Sequence, residues 1–269
     1  MSPRLLSSNE KSVKLSPTEQ RVYFQLYGLE VFRTRDVYTV IENKKTAWNI
    51  VSRLKNKGYI REIKRGLYGI VPAQMIGEDF TVDRILVASR LVEPYFLSHH
   101  TALEVHGVAH SFFNTVYITS GSPLRPFEYQ GITYKVVATK HLFGYAEVGR
   151  GRQAINVSDR ERSVLDCIRN MGYAGGIEEL LRSITRFPSL DFKRLLDYLE
   201  KFGETSLYHR TGYLLDLLRE DLRAPEWFFE KIMGRLGSRA YYLTGKKGTY
   251  VRKWNVIAPG NIKELVKVA

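Results

Sequence analysis

The chain has 269 residues, 41 Lys and Arg against 28 Asp and Glu, and a formal charge of +13. That excess of cations favours anionic partners, nucleic acid first among them, and the length suits two modest domains. No apolar run approaches the ~18 residues of a transmembrane helix. The N-terminal stretch lacks the apolar core of a secretory signal. The single Cys167 can neither close an internal disulfide nor hold a thiolate metal site alone, so a reducing, cytoplasmic setting is expected.

The charge is uneven. Residues 1–75 hold 14 Lys and Arg against 6 Asp and Glu, a net of +8, whereas the remaining 194 residues hold 27 against 22, a net of +5. The basic first segment is therefore where nucleic-acid contacts are expected.

Residues 1–15 are polar and expected to fray. A helix begins at Ser16-Pro17-Thr18-Glu19, where Ser16 can cap and Glu19 can complete a capping box. Val22, Tyr23, Leu26 and Leu29 form its apolar stripe. Thr34 starts a second, short helix from Arg35 to about Glu42, presenting Val37, Val40 and Ile41. Asn43 can cap a third, Lys44 to Gly58. Its residues Ala47, Ile50, Val51 and Leu54 share one face, while Lys45, Asn49, Ser52 and Asn56 share the opposite one. Trp48 lies on the flank and is expected to pack on the next element. Two β-favouring runs, 59–63 and 67–71, flank the basic turn Lys64-Arg65-Gly66 and read as a hairpin. Three helices followed by a hairpin make a winged helix-turn-helix, placed over residues 1–75 with the domain boundary near 75.

Residues 76–269 read as a second, α+β domain. After the helical stripe of Phe80 to Ser89, strands are expected at 94–97, 116–119, 132–137, 144–148 and 153–157. Their short connections imply an antiparallel or mixed sheet. Ser98 is expected to cap a helix running to about His106. Ser158-Asp159-Arg160-Glu161 reads as a second capping box, starting a helix with Val164, Leu165 and Ile168 inward. Helices follow at about 176–185, 189–202, 206–221 and 225–234. A final pair of strands, 239–243 and 249–256, surrounds Gly245-Lys246-Lys247-Gly248, which reads as a hairpin turn rather than a phosphate loop.

On the third helix the chemistry suits base reading. Asn49 can pair bidentately with adenine and Lys45 can donate to guanine, while Thr46 and Ser52 are adaptable contacts. Lys44 stands at the helix start. Arg53, Lys64 and Arg65 are better placed for phosphate. His106 and His110 have the spacing of some zinc sites, but the HExxH motif is missing and Gly107 should end the helix between them, so no metal is expected. Phosphate-loop and GxSxG signatures are missing too. Asp159, Glu161 and Asp166 raise a hydrolytic alternative, although capping and the helix dipole explain Glu161 and Asp159.

The run FRTRDVYTVIENKKTAWNIVSRLKNKGYIREIKRGLYGI, with its RGLYGI wing, resembles the N-terminal domain of AbiEi-type antitoxins, transcriptional regulators of viral-defence (abortive-infection) systems. LSHHTALEVHG (97–107), VSDRERSVLDCI (157–168), Gly175-Gly176 and YHRTGYLLDLL (208–218) are similar to later blocks of that family. The likeness covers roughly residues 16–220; the segment from 225 to 269 matches nothing. The resemblance implies a cytoplasmic, non-enzymatic DNA-binding repressor without a cofactor. It would act on inverted repeats in double-stranded DNA as two copies and counteract a nucleotidyltransferase-like toxin, not necessarily in a stable complex. Residue by residue, it assigns the DNA contacts to Lys45, Thr46, Asn49, Ser52, Arg53, Lys64 and Arg65; Lys44, at the helix start, is counted with them as a DNA-binding residue. A nucleic-acid-processing enzyme targeted by its winged helix, and a stand-alone regulator without a toxin, are the alternatives.

Overall fold

A computed structural model describes residues 14–245, 247–260 and 262. The protein is α+β and divides into two units between Arg90 and Leu91. The frayed segment expected at the N-terminus falls mostly on residues 1–13, outside the described residues.

In the first unit, helix α1 (Pro17–Tyr27) starts at a capping box. Ser16 Oγ accepts from the Glu19 N–H at 3.3 Å, and the Glu19 carboxylate accepts from the Ser16 N–H at 2.7 Å. Strand β1 (Val31–Arg33) and the single turn α2 (Thr34–Val37) follow, then helix α3 (Lys44–Asn56), strands β2 (Ile60–Lys64) and β3 (Leu67–Ile70), and helix α4 (Arg84–Ser89). The three strands form an antiparallel sheet in the order β1-β3-β2. Its core joins Val22, Tyr23 and Leu26 of α1 to Ala47, Ile50, Val51 and Leu54 of α3, with Phe32 and Ile70 from the sheet.

Three details differ from the sequence reading. Strand β1, only three residues long, has no counterpart in the sequence reading; it forms one edge of the sheet and pairs Phe32 with Tyr68 of the central strand. Helix α2 is shorter than 35–42: it ends at Val37, and the Tyr38 and Val40 N–H groups bond three residues back, to Arg35 and Val37, in the turn that follows. The unit runs past residue 75 to Arg90: Val82 lies against Gly69, Arg61 donates to the Phe80 carbonyl at 2.8 Å, and Arg33 Nε donates to the Arg90 carbonyl at 2.7 Å.

The second unit opens with β4 (Tyr95–Leu97), α5 (His99–Val105), β5 (Thr115–Ser120), β6 (Phe127–Tyr129), β7 (Ile132–Ala138), β8 (Tyr145–Arg150) and β9 (Gln153–Ser158). These strands make a mixed six-stranded sheet, β6-β7-β5-β4-β9-β8, parallel at β5–β7 and β4–β9 and antiparallel elsewhere. Helices α6 (Arg160–Arg169), α7 (Ile177–Thr185), α8 (Phe192–Phe202), α9 (Thr205–Leu217) and α10 (Glu226–Met233) follow and share one apolar core.

The expected cap of α6 shifts by one residue. Ser158 ends β9, and Asp159 is the cap, accepting from the Arg162 N–H at 2.8 Å. The Glu161 carboxylate instead accepts from the Asp191 N–H at 2.8 Å, at the start of α8. Ser98 likewise does not cap α5 with its hydroxyl, which meets His99 Nδ1 at 2.9 Å.

A small sheet closes the described chain: β10 (Tyr241–Tyr242), β11 (Thr249–Val251) and β12 (Val256–Ala258). β12 lies in the centre, parallel to β10 and antiparallel to β11. Gly245 to Gly248 therefore links two outer strands and is not the hairpin turn expected, and the strand expected over 249–256 is broken by a 3-10 turn at Arg252–Trp254. Trp254 fixes this sheet to α9. Its buried ring covers Gly212, where a Cβ would fall 2.3 Å from a ring carbon, and its Nε1 donates to Asp216 at 2.9 Å. His209 adds two bonds: Nδ1 donates to the Trp254 carbonyl at 2.7 Å, and Nε2 accepts from the Gly237 N–H at 3.1 Å.

Gly212→Ala should destabilise the protein by about 1–3 kcal/mol through overpacking against Trp254. Thermal unfolding checks this; an unchanged midpoint would mean that the Trp254–Gly212 contact does not set the packing.

Candidate nucleic-acid interface

Helix α3 can face two ways because its sequence divides cleanly. Its apolar residues fall at 47, 50, 51 and 54, and all four are buried. Lys44, Lys45, Thr46, Trp48, Asn49 and Arg53 are exposed and Ser52 is half-buried. Residues 44–57 hold five Lys and Arg and no acid. Asn43 ends the preceding turn and caps the helix, its Oδ1 accepting from the Thr46 N–H at 3.0 Å and the Thr46 hydroxyl at 3.2 Å. The Thr46 hydroxyl is thus engaged locally, with its lone pairs left to accept. Lys45, Asn49 and Ser52 follow one another at helical spacing, so their side chains share a face. Trp48 does not pack on a neighbouring element as expected: its side chain is 63% exposed and belongs to the outward surface.

Two ion pairs hold the far end of α3. Lys57 meets Glu19 of α1 at 2.7 Å, and Lys55 meets Glu62 of β2 at 2.6 Å. Burial alone would raise the Glu19 pKa, but the Lys57 ammonium and the Ser16 groups outweigh it and hold it below the usual value. The hydrogen bond to Glu62 raises that of Lys55.

The β2–β3 turn carries Arg65, exposed, and Lys64, half-buried. Gly66 takes φ +81°, a left-handed conformation that glycine adopts without steric cost. Its carbonyl accepts from the Thr34 N–H at 3.0 Å, which ties the turn to the start of α2. β2 also carries an irregularity between Glu62 and Lys64, and such a bulge sharpens local twist. The predicted contacts thus lie on two elements joined to one core: six on α3 and two at the turn.

The other candidate residues lie in the second unit and serve the fold. His99 is buried at the start of α5 with φ +52°, and its Nε2 has no hydrogen-bond partner among the described residues. His100 stands between two carboxylates, 3.1 Å from Glu104 and 3.3 Å from Glu179. Glu179 also accepts from the His110 and Ser111 N–H groups at 2.8 and 3.0 Å. Burial would raise its pKa, but these donors hold it low. His106 Nε2 meets the Ser158 carbonyl at 2.8 Å. No group of His, Cys, Asp and Glu suited to a metal ion occurs among the described residues. Of the three carboxylates considered for hydrolysis, Asp159 caps α6 and accepts from the Tyr198 hydroxyl at 2.6 Å, Glu161 holds the start of α8, and Asp166 pairs with Arg162 at 2.9 Å. Burial pushes the Cys167 thiol up, which keeps it a packing residue.

Across the whole chain, the fold is similar to the crystal structure of the RV2827C protein from Mycobacterium tuberculosis. The two share 13% sequence identity over 95% of each chain, with a TM-score of 0.61. That likeness establishes a common fold. No protein-family model and no curated protein matches the sequence. Among the described residues, no helix is long and apolar enough to cross a membrane.

His99 should make stability pH-dependent. Burial is the largest cause of its depressed pKa; Arg162, Arg169 and Lys135 add to it and Asp166 opposes, leaving it at about 4 against an ordinary 6.5. Its contribution is complete above pH 6.5 and declines as pH falls towards 4, because there the unfolded chain binds a proton that the folded chain refuses. The loss reaches about 3 kcal/mol. In His99→Asn, a residue that tolerates the left-handed backbone, denaturant titrations should show a shallower decline between these limits. An identical decline would refute the assignment.

Proposed function

We propose that the first unit is a winged helix-turn-helix and that the chain is a sequence-specific DNA-binding transcriptional regulator of AbiEi antitoxin type. In this reading α2 and α3 are the helix pair, α3 enters the major groove, and the β2–β3 hairpin is the wing. The observation that carries it is the two-sided character of α3: one face buried, the other exposed, polar, cationic and free of acid from residue 44 to 57. A helix of this kind fits the major groove and reads bases from its N-terminal half.

The roles follow from chemistry. Asn49 presents a donor and an acceptor to adenine, and Lys45 donates to guanine. Lys44, Arg53, Lys64 and Arg65 supply charge to phosphates, with Thr46 and Ser52 as secondary hydroxyl contacts. An inverted-repeat operator would take two copies, with half-sites one helical turn or a multiple apart.

The antitoxin part rests on the order of the sequence blocks over residues 16–220. The structural employment of Asp159, Glu161 and Asp166 supports a regulator over a hydrolase. The partner implied is a nucleotidyltransferase-like toxin; no cofactor enters this reading.

Titrating the protein with duplex DNA from upstream of its own reading frame tests the DNA reading. Asn49→Ala should cost about 1–3 kcal/mol and relax preference at one base pair. Arg65→Ala should weaken all duplexes alike and flatten the salt dependence by about one unit. If both variants bind as the wild type does, the reading helix and wing are misassigned. The antitoxin role predicts that co-expression rescues growth from the protein encoded by the adjacent reading frame; continued arrest would leave a stand-alone regulator.

A further inference from the structure

The C-terminal sheet presents a second surface suited to nucleic acid, distinct in chemistry from α3. Tyr242 of β10 and Tyr250 of β11 both register with Ile257 of the central strand. Residues in register across a sheet project to the same face, so the two tyrosines flank Ile257 on one side. That side is the outer one: Tyr242 is 44% and Tyr250 is 53% exposed, whereas Val256, in the next row, is fully buried. The rings stand two strands apart, roughly 10 Å. The Tyr250 hydroxyl donates to Asn255 Oδ1 at 2.6 Å, which holds the ring in place by its polar end.

The surroundings are cationic. Residues 231–262 contain seven Lys and Arg and no Asp or Glu. Lys247, between β10 and β11, and Arg252, just after β11, are exposed and have no acidic partner among the described residues. Arg210 of α9 reaches the edge of the sheet, donating to the Tyr242 carbonyl at 3.2 Å. The sheet is rigidly founded, since Trp254 and His209 fasten it to α9.

Exposed aromatic rings on a sheet face, set among unpaired cations, suit a polyanion whose bases are free to stack. A duplex keeps its bases stacked on one another and offers the rings only its backbone, and the excess of cations over the one nearby acid, Asp216, which is taken up by Lys253 and Trp254, disfavours a cationic partner. We propose that this sheet binds single-stranded nucleic acid, with bases stacked on Tyr242 and Tyr250 and phosphates met by Lys247 and Arg252. The surface does not depend on the DNA reading of the first unit.

The test uses the full chain carrying Asn49→Ala and Arg65→Ala, so that failure of the first-unit reading cannot be mistaken for failure here. Short fluorescent oligo(dT) and oligo(U) are titrated at low salt and followed by anisotropy. Either oligonucleotide should bind with an affinity that falls steeply with salt. Adding Tyr242→Ala and Tyr250→Ala together should weaken binding at least about tenfold, and Tyr→Phe at both positions should restore it, because stacking needs the ring and not the hydroxyl. Lys247→Gln with Arg252→Gln, which leaves the rings intact, should weaken binding and reduce the salt slope. The proposal is overturned if neither oligonucleotide binds, or if the alanine and glutamine variants both bind as their parent does.

Discussion

The second unit is built round a charged helix that has no solvent side. Every residue of α6 from Glu161 to Ile168 is buried, including Glu161, Arg162 and Asp166. Charges so placed are tolerable only if each meets an opposite charge or a set of dipoles. Arg162 meets Asp166 within the helix, in an ion-pair approach at 2.9 Å. It also donates to the Phe143 carbonyl at 3.0 Å and lies over the rings of Phe143 and Phe202, 4.5 Å from each. Removing one member of such a pair strands the other, at a cost of about 3–5 kcal/mol. The carboxylates that could suggest hydrolysis are therefore what allows a polar helix to occupy the middle of the unit.

Much of the first unit was legible because its signals are local. The Ser16 and Asn43 caps and the four buried positions of α3 depend on spacing within a single turn or helix. Strand β1 was not legible, because a three-residue strand has no period of its own and exists by pairing with β3. The extension to Arg90 was hidden for a similar reason: Arg33 and Arg61 hold the later backbone across long stretches of sequence. In the second unit, Ser158-Asp159-Arg160-Glu161 permits two capping frames, and packing of Glu161 on the start of α8 selects between them. The order β10-β12-β11 could not be read, since the strand expected over 249–256 is two strands, β11 and the start of β12, and the second of them pairs with both others.

For the candidate interface, the sequence located the exposed residues of α3 correctly but mistook Trp48. Amphipathic helices make large aromatic residues look like packing material, and only the position of the neighbouring strands decides. Both candidate surfaces share a physical logic. In each, one side of an element is fixed by buried apolar groups, and the other side is left to exposed cations and rings.

The place of β12 has a consequence for assembly. The strand that pairs with both neighbours is the last of the three in the chain. During synthesis, β10 and β11 emerge before either has its partner, each with open backbone groups along its length. Trp254, which closes the space over Gly212, also arrives after them. The small sheet therefore has no half-built form in which β10 and β11 support each other: both wait for Val256 to Ala258, which lie between them. Until that moment the aromatic face does not exist as a surface, however complete the rest of the unit has become.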